Sequence, residues 1–192
     1  PAKGRTIMYA INGSKKAAVY TAPIDLRAGG TITTWYKDNP LMKTSMTYAK
    51  IESVPLQVLF ASSEEPGSGS AANMVDGDPA TMWHTMYSIT LAKYPHWVDF
   101  DAGKEKIIKG FTYLARQDGS LNGCIKDYEI YVSNDNKNWG NPILKGKFEK
   151  IAKLQKVMFG KPVKARYVRL RALNEQNGQD YASGSEFTLI TE

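Results

Sequence analysis

Asp76, Asp78 and Thr81 stand at i, i+2 and i+5 of the stretch Asp76-Gly77-Asp78-Pro79-Ala80-Thr81-Met82-Trp83-His84-Thr85. Gly77 and Pro79 bend such a segment tightly, and the bend turns three oxygen-bearing side chains toward one point. That is a donor set for a hard cation: Ca²⁺ takes roughly six to eight oxygens from carboxylates, hydroxyls and carbonyls. One more anion is needed, and Glu186, in Gly184-Ser185-Glu186-Phe187 at the start of a last strand, is the candidate. The same tripeptide also serves as a plain solvated turn. The Thr81, Trp83 and His84 that follow, together with the distant Glu186, favour the ion.

A second set of side chains could read vicinal hydroxyls. Arg116 supplies a rigid fork of donors, Asn122 a donor and an acceptor, and a neutral His84 one of each. Tyr87 follows His84 closely enough to add an aromatic surface. Recognition of a pyranose needs both elements, an apolar face for its C–H groups and a few fixed polar groups for its hydroxyls. Each residue has a plainer reading. His84 beside Trp83 reads equally well as a hydrogen-bonded core histidine, and His96 before Trp97 as structural. Arg116 is harder to dismiss, because it follows an apolar strand and precedes a Gln117-Asp118-Gly119 turn, which puts it at a sheet end.

These residues must be held by strands. The 192 residues carry 11% aromatics, nine Pro and sixteen Gly, a composition of many short strands, and suffice for one large β-domain or two smaller ones. Thr6–Ile11, Ala17–Tyr20, Thr31–Tyr36 and Ser45–Ile51 alternate in the strand manner, with Asn12-Gly13 as a hairpin turn and Ile24-Asp25-Leu26 before Gly29-Gly30. The stretch from Pro55 to Gly69 carries the turn-rich, polar run Ser62 to Ser70, and the boundary belongs just before that stretch, giving 1–54 and 55–192. Beyond it, Ala71–Val75 is the one helical candidate. Strands are expected at His96–Asp101, Gly110–Ala115, Asp127–Ser133, Ala165–Ala172 and Glu186–Ile190. Their alternation predicts antiparallel sheets packed face to face in a jelly-roll-like sandwich of about eight strands. Trp97 and Trp139 are expected in or capping the core, and Arg166, Arg169 and Arg171 on an outer face.

Residues 56–191 resemble the coagulation factor 5/8 type C, or discoidin, family, most closely the family 32 carbohydrate-binding modules. The resemblance is carried by Asp76-Gly77-Asp78 through Thr85, Pro95-His96-Trp97, Arg116 to Gly119 with Asn122-Gly123, Tyr128 to Ser133, Asn138-Trp139-Gly140, Ala165 to Leu170 and Ser185-Glu186. It implies a structural Ca²⁺ on Asp76, Asp78, Thr81 and Glu186, with carbonyls around Asn73 and Ser185. It also implies a stacking aromatic on the loop that carries Tyr181. About forty residues of the 1–54 segment resemble the small Ig/Fn3-like β-sandwich of chitobiase/hexosaminidase C-terminal type, through Ile7-Met8-Tyr9, Asn12-Gly13-Ser14, Tyr20, Pro23-Ile24 and Gly30-Thr31-Ile32.

Other functions find less support. The net charge of +6 sits in the first segment, with eight Lys/Arg against three Asp/Glu before Val54 and seventeen against sixteen from there on. No clustered cations suggest a nucleic-acid surface. No G-x-S-x-G, H-E-x-x-H or P-loop pattern occurs, and Asp99 with Asp101 gives no sign of being a glycosidase pair. The lone Cys124 reads as a small core residue. The chain opens at Pro1-Ala2-Lys3-Gly4 with neither Met nor a signal-type core, and no transmembrane run, as a fragment or processed form would. The expectation is therefore a non-catalytic, calcium-bearing module for glycans ending in galactose or N-acetylgalactosamine. It would be covalently part of a larger secreted, periplasmic or cell-surface glycoside hydrolase of hexosaminidase or fucosidase type. The alternative is a discoidin-type adhesion module for membrane lipid or protein.

Overall fold

The computed structural model describes residues 4–24, 26, 29–48 and 54–192. The chain divides into two compact units, Pro1–Glu52 and Ser53–Glu192. In the first, β1 (Ile7–Ile11), β2 (Ala18–Val19), β3 (Gly30–Tyr36) and β4 (Asn39–Tyr48) form one antiparallel sheet in the order β2-β1-β3-β4. Asn12, at φ 51°, and Gly13 make the expected turn. The Asn12 side-chain oxygen accepts from the Thr31 N–H at 2.8 Å, which braces the turn against β3. β4 begins earlier than expected because Lys37 and Asp38, between paired Tyr36 and Asn39, make the hairpin. Pro40 is tolerated on this edge strand, where a missing N–H costs no ladder bond. The sandwich expected here is a single sheet among the described residues. The predicted strand positions 49–51, and Asp25, lie outside them.

The second unit has strands β5 (Gln57–Ala61), β6 (Trp83–His84), β7 (His96–Leu114), β8 (Asp127–Ser133), β9 (Leu144–Lys147), β10 (Gln155–Ala172), β11 (Ser183–Gly184) and β12 (Glu186–Thr191), and a 3-10 helix at Ala71–Val75. β7 and β10 are long enough to serve both layers of the jelly roll. The first part of β7 pairs with β5 and with Tyr167–Ala172 of β10, and the second part with β12 and with residues 155–165 of β10. The two expected strands at 96–101 and 110–115 are thus one continuous strand. Alternation along it puts Val98, Phe100, Phe111 and Tyr113 inside, fully buried. Phe100 stacks on Phe187 at 4.4 Å and Phe187 on Phe111 at 5.3 Å, so the core closes through aromatic contact. Cys124 is buried, and burial pushes its thiol up to about 11, as for an inert core residue.

The outward positions of β7, β8 and β10 carry a polar ladder. Arg169 faces Asp99 in register and grips it with both fork arms, at 2.6 and 2.8 Å, while Arg166 grips Asp101 at 2.8 Å on each arm and Arg171 meets Glu129 at 3.2 Å. Asp99 and Asp101 are therefore structural partners of arginine. Trp97 and Trp139 correct the sequence expectation: both are half-buried on this outer face. The Arg169 guanidinium lies over their rings, 5.4 Å from Trp97 and 4.3 Å from Trp139. With His96, Val98 and Phe100 inside, the period of two requires Trp97 to point out. The core tryptophan is Trp83, 1% exposed, whose indole N–H donates to the Ser63 carbonyl at 2.8 Å.

Candidate functional site

His84 and Tyr181 are brought together by a two-stranded ladder. β6 and β11 pair His84 with Ser183 and Trp83 with Gly184, and the ladder is extended by two bonds between Thr85 and Ala182, each 2.9 Å. The His84 ring then lies between two tyrosines, 4.9 Å from Tyr87 edge-on and 5.4 Å from Tyr181. The Tyr181 segment is tied down from the entrance of β7. Tyr94 donates its hydroxyl to the Tyr181 carbonyl at 2.8 Å, and His96 Nε2 donates to the Asp180 carbonyl at 2.6 Å. His96 is thus structural, as its place at a strand entrance suggests.

Arg116 leaves β7 just after buried Ala115, and its side chain is 14% exposed. The fork is held by Asp118, through Nε at 2.8 Å and through Nη2, and Nη1 donates to the Asn122 carbonyl at 3.3 Å. That bonding fixes the guanidinium and leaves its remaining N–H groups at the outer edge. The Asn122 carbonyl also accepts from the Ser183 hydroxyl at 2.8 Å, so this loop is fastened to β11. Gly123 makes the approach possible: at φ 73°, a Cβ there would lie 2.9 Å from the Ser183 nitrogen. The carboxamide of Asn122 takes no hydrogen bond from the described residues.

These elements enclose a cavity of about 320 Å³ lined by Ser68, Met82, His84, Tyr87, Arg116, Asn122 and Tyr181. All five residues singled out for hydroxyl recognition and stacking lie in its wall. Sequence reasoning missed Ser68 and Met82. Ser68 sits in a Gly/Ser turn that reads only as a loop. In the fold the turn is pressed against the site, since a Cβ at Gly69 would meet the His84 carbonyl at 2.7 Å.

The protonation of His84 follows from geometry. Its Nδ1 lies 2.6 Å from the Thr85 carbonyl, which can only accept, so Nδ1 carries the proton and Nε2 of the neutral ring is the acceptor. Burial lowers the histidine pKa below its ordinary 6.5, and Arg116 adds to this, while the Thr85 bond, Glu65 and Asp118 oppose it. Hydrogen bonds from Arg116 hold the Asp118 carboxyl below its usual range. The cavity therefore offers a neutral acceptor beside a fixed cation, the pairing that two adjacent hydroxyls need.

The acidic loop is separate chemistry. Thr81 donates its hydroxyl to Asp76 at 2.7 Å and lies 3.0 Å from the Asp78 carbonyl, while the Asp78 and Ala80 N–H groups bond Asp76 and Asp78. The side chains of Asp76 and Thr81 meet, while Asp78 reaches Thr81 through its carbonyl and turns its carboxylate to the Ala80 N–H. The 3-10 helix bearing Asn73 packs on β12, whose first residue is Glu186. Ser185 is fully buried, and its hydroxyl lacks a hydrogen-bond partner among the described residues. Among those residues no three His, Cys, Asp or Glu side chains converge, so a cation here would draw on hydroxyl and carbonyl oxygens as well. An all-oxygen donor set of this kind suits a hard ion.

Comparison with known proteins agrees with the geometry. The F5/8 type C domain model matches residues 59–187. A sialidase of Micromonospora viridifaciens is 36% identical over 173 residues, covering 88% of this chain and 26% of the sialidase. A galactose oxidase of Gibberella zeae is 37% identical over 125 residues, covering 64% of this chain and 18% of the oxidase. The chain thus spans about a quarter or less of these relatives. A Clostridium perfringens CBM32 module, solved in complex with GalNAc-β-1,3-galactose, superposes with a TM-score of 0.65 at 32% identity, covering 72% of this chain and 99% of that one. A family 32 module from the same organism, solved with galactose, gives 0.63 at 26% identity, covering 71% and 96%. The chain belongs to the F5/8 type C domain family and has the fold of its carbohydrate-binding modules.

Proposed function

We propose that residues 55–192 form a non-catalytic module that binds the terminal galactose or N-acetylgalactosamine of a glycan. The observation that carries this reading is the convergence of His84, Arg116, Asn122, Tyr87 and Tyr181 on one cavity. A pyranose laid against a tyrosine ring would place adjacent hydroxyls between His84 Nε2, which accepts, and the outer N–H edge of Arg116, which donates. Asn122 can do either. An axial hydroxyl bends toward such a pair, whereas an equatorial one lies in the ring plane, which separates galactose from glucose. The C. perfringens modules, solved with galactose-containing ligands, support the assignment.

The acidic loop would hold Ca²⁺ through Asp76, Asp78, Thr81 and Glu186 with carbonyls at Asn73 and Ser185, and the ion would cross-link the loop to the last strand. The 1–54 segment, of chitobiase C-terminal type, would act as a spacer in a larger secreted or cell-surface glycoside hydrolase. The partial coverage of the sialidase supports that setting. A single small ring buries little area, so single-site affinity is weak and the module works by raising its parent's effective concentration on a glycan surface.

A thermal melt of the chain with millimolar galactose, N-acetylgalactosamine or glucose tests the reading. The first two raise the Tm by about 1–4 °C through mass action and glucose does not. No shift with either galacto-sugar, or binding to anionic vesicles instead, would overturn it.

A further inference from the structure

The loop that carries cavity-lining Tyr87 also exposes two aliphatic side chains that the monosaccharide reading leaves unused. Residues 86–93 form a loop closed by a bond from the Ala92 N–H to the Met86 carbonyl at 3.2 Å. It is anchored at its base: buried Glu65 takes the Tyr87 and Ser88 N–H groups at 2.7 and 3.1 Å, and the Ser63 hydroxyl takes the Met86 N–H at 2.9 Å. Its far end is tied by Lys93 to Asp180. The loop nevertheless exposes Tyr87 by 54%, Ile89 by 76% and Leu91 by 40%. Tyr87 lines the cavity, and Ile89 and Leu91 follow it two and four residues on in the same closed loop.

We infer that the Tyr87–Ile89–Leu91 ledge is a second subsite, which packs against the C–H face of the neutral sugar next to a terminal galactose. The inference rests on the galactose reading of the pocket. A cavity of about 320 Å³ holds one pyranose, so the next ring of a glycan lies outside it, and the Tyr87 loop is a wall with exposed apolar side chains to receive that ring. The ledge has no unpaired charge, since Lys93 is engaged by Asp180, and its anchored backbone presents the side chains already ordered. An aromatic with two aliphatic side chains matches the C–H face of a pyranose and offers nothing to a carboxylated one.

The test compares methyl β-galactoside, lactose and N-acetyllactosamine by calorimetric titration of the whole chain and its Ile89→Ser/Leu91→Ser variant. The disaccharides should bind roughly three- to tenfold tighter than the monosaccharide to the wild-type chain. The variant should lose that advantage while its affinity for methyl β-galactoside stays unchanged, because neither residue lines the pocket. Equal affinity of mono- and disaccharides overturns the ledge and leaves the pocket standing. A disaccharide advantage that survives in the variant places the second ring on another wall and also overturns it. Absence of methyl β-galactoside binding to the wild-type chain would instead sink the pocket reading beneath it.

Discussion

Two arginines of the second unit make nearly the same bond and serve opposite ends. Arg169 grips Asp99 with Nε and Nη2, and Arg116 grips Asp118 with the same two nitrogens. On the sheet the partner is the residue directly across the ladder, and the rings of Trp97 and Trp139 close over the guanidinium. What remains of that fork faces indole rings and no cavity. In the loop the partner is two residues away in the same turn, so the fork is fixed locally while its outer edge fronts a cavity. Pairing by register yields a structural cross-link. Pairing within a turn yields a preorganised donor for something outside the protein. The acidic loop is a third case, since Asp76 and Asp78 have no lysine or arginine partner among the described residues.

The largest effect should come from the loop arginine. Arg116→Ala should weaken galactose binding by about 50-fold or more, since it removes several charge-assisted bonds, and move the Tm by no more than about 2 °C. Calorimetry beside a melt of the same sample checks both. Arg169→Ala is the converse: galactose affinity stays within about twofold, while urea unfolding shows a loss of roughly 2 kcal/mol, because Asp99, with a side chain 6% exposed, is left without its cation. If the two variants exchange effects, the division between structural and binding forks is wrong. Next in size is the acidic loop. Ca²⁺ should raise the Tm by a few degrees and EDTA reverse it, and Asp76→Ala should melt low and ignore both.

The smallest effect is with pH. A proton on His84 Nε2 removes the acceptor and sets a second cation near Arg116, so galactose affinity should be flat above 6.5 and fall as the pH drops through the lowered value of His84. The sign for stability is the same. With the folded pKa below the unfolded one, the unfolded state binds more protons, so the contribution of His84 is complete above 6.5 and is lost on acidification. Calorimetry in pH steps should show the profile in the wild-type chain and not in His84→Gln.

Most of the second unit was legible because its strands alternate cleanly and its turns use Gly, Asn and Asp where the backbone needs them. Arg116 was legible because it follows an apolar strand at a sheet end, and Tyr181 only through the resemblance to the discoidin family. What escaped notice did so for physical reasons. Trp97 and Trp139 look like core residues by size, but Arg169 covers their rings on the outside, a tertiary contact that only the β7–β10 register reveals. Ser68 reaches the cavity through a turn whose closeness to His84 is not written in its own residues.

The most direct test of the pocket is a galactose titration followed residue by residue, by heteronuclear NMR of the labelled chain. Saturable shifts should be confined to the backbone and side-chain signals of His84, Tyr87, Arg116, Asn122 and Tyr181, with Arg169 and its neighbours unmoved. Shifts centred on the Trp97–Arg169–Trp139 face, or none at saturating sugar, would contradict it.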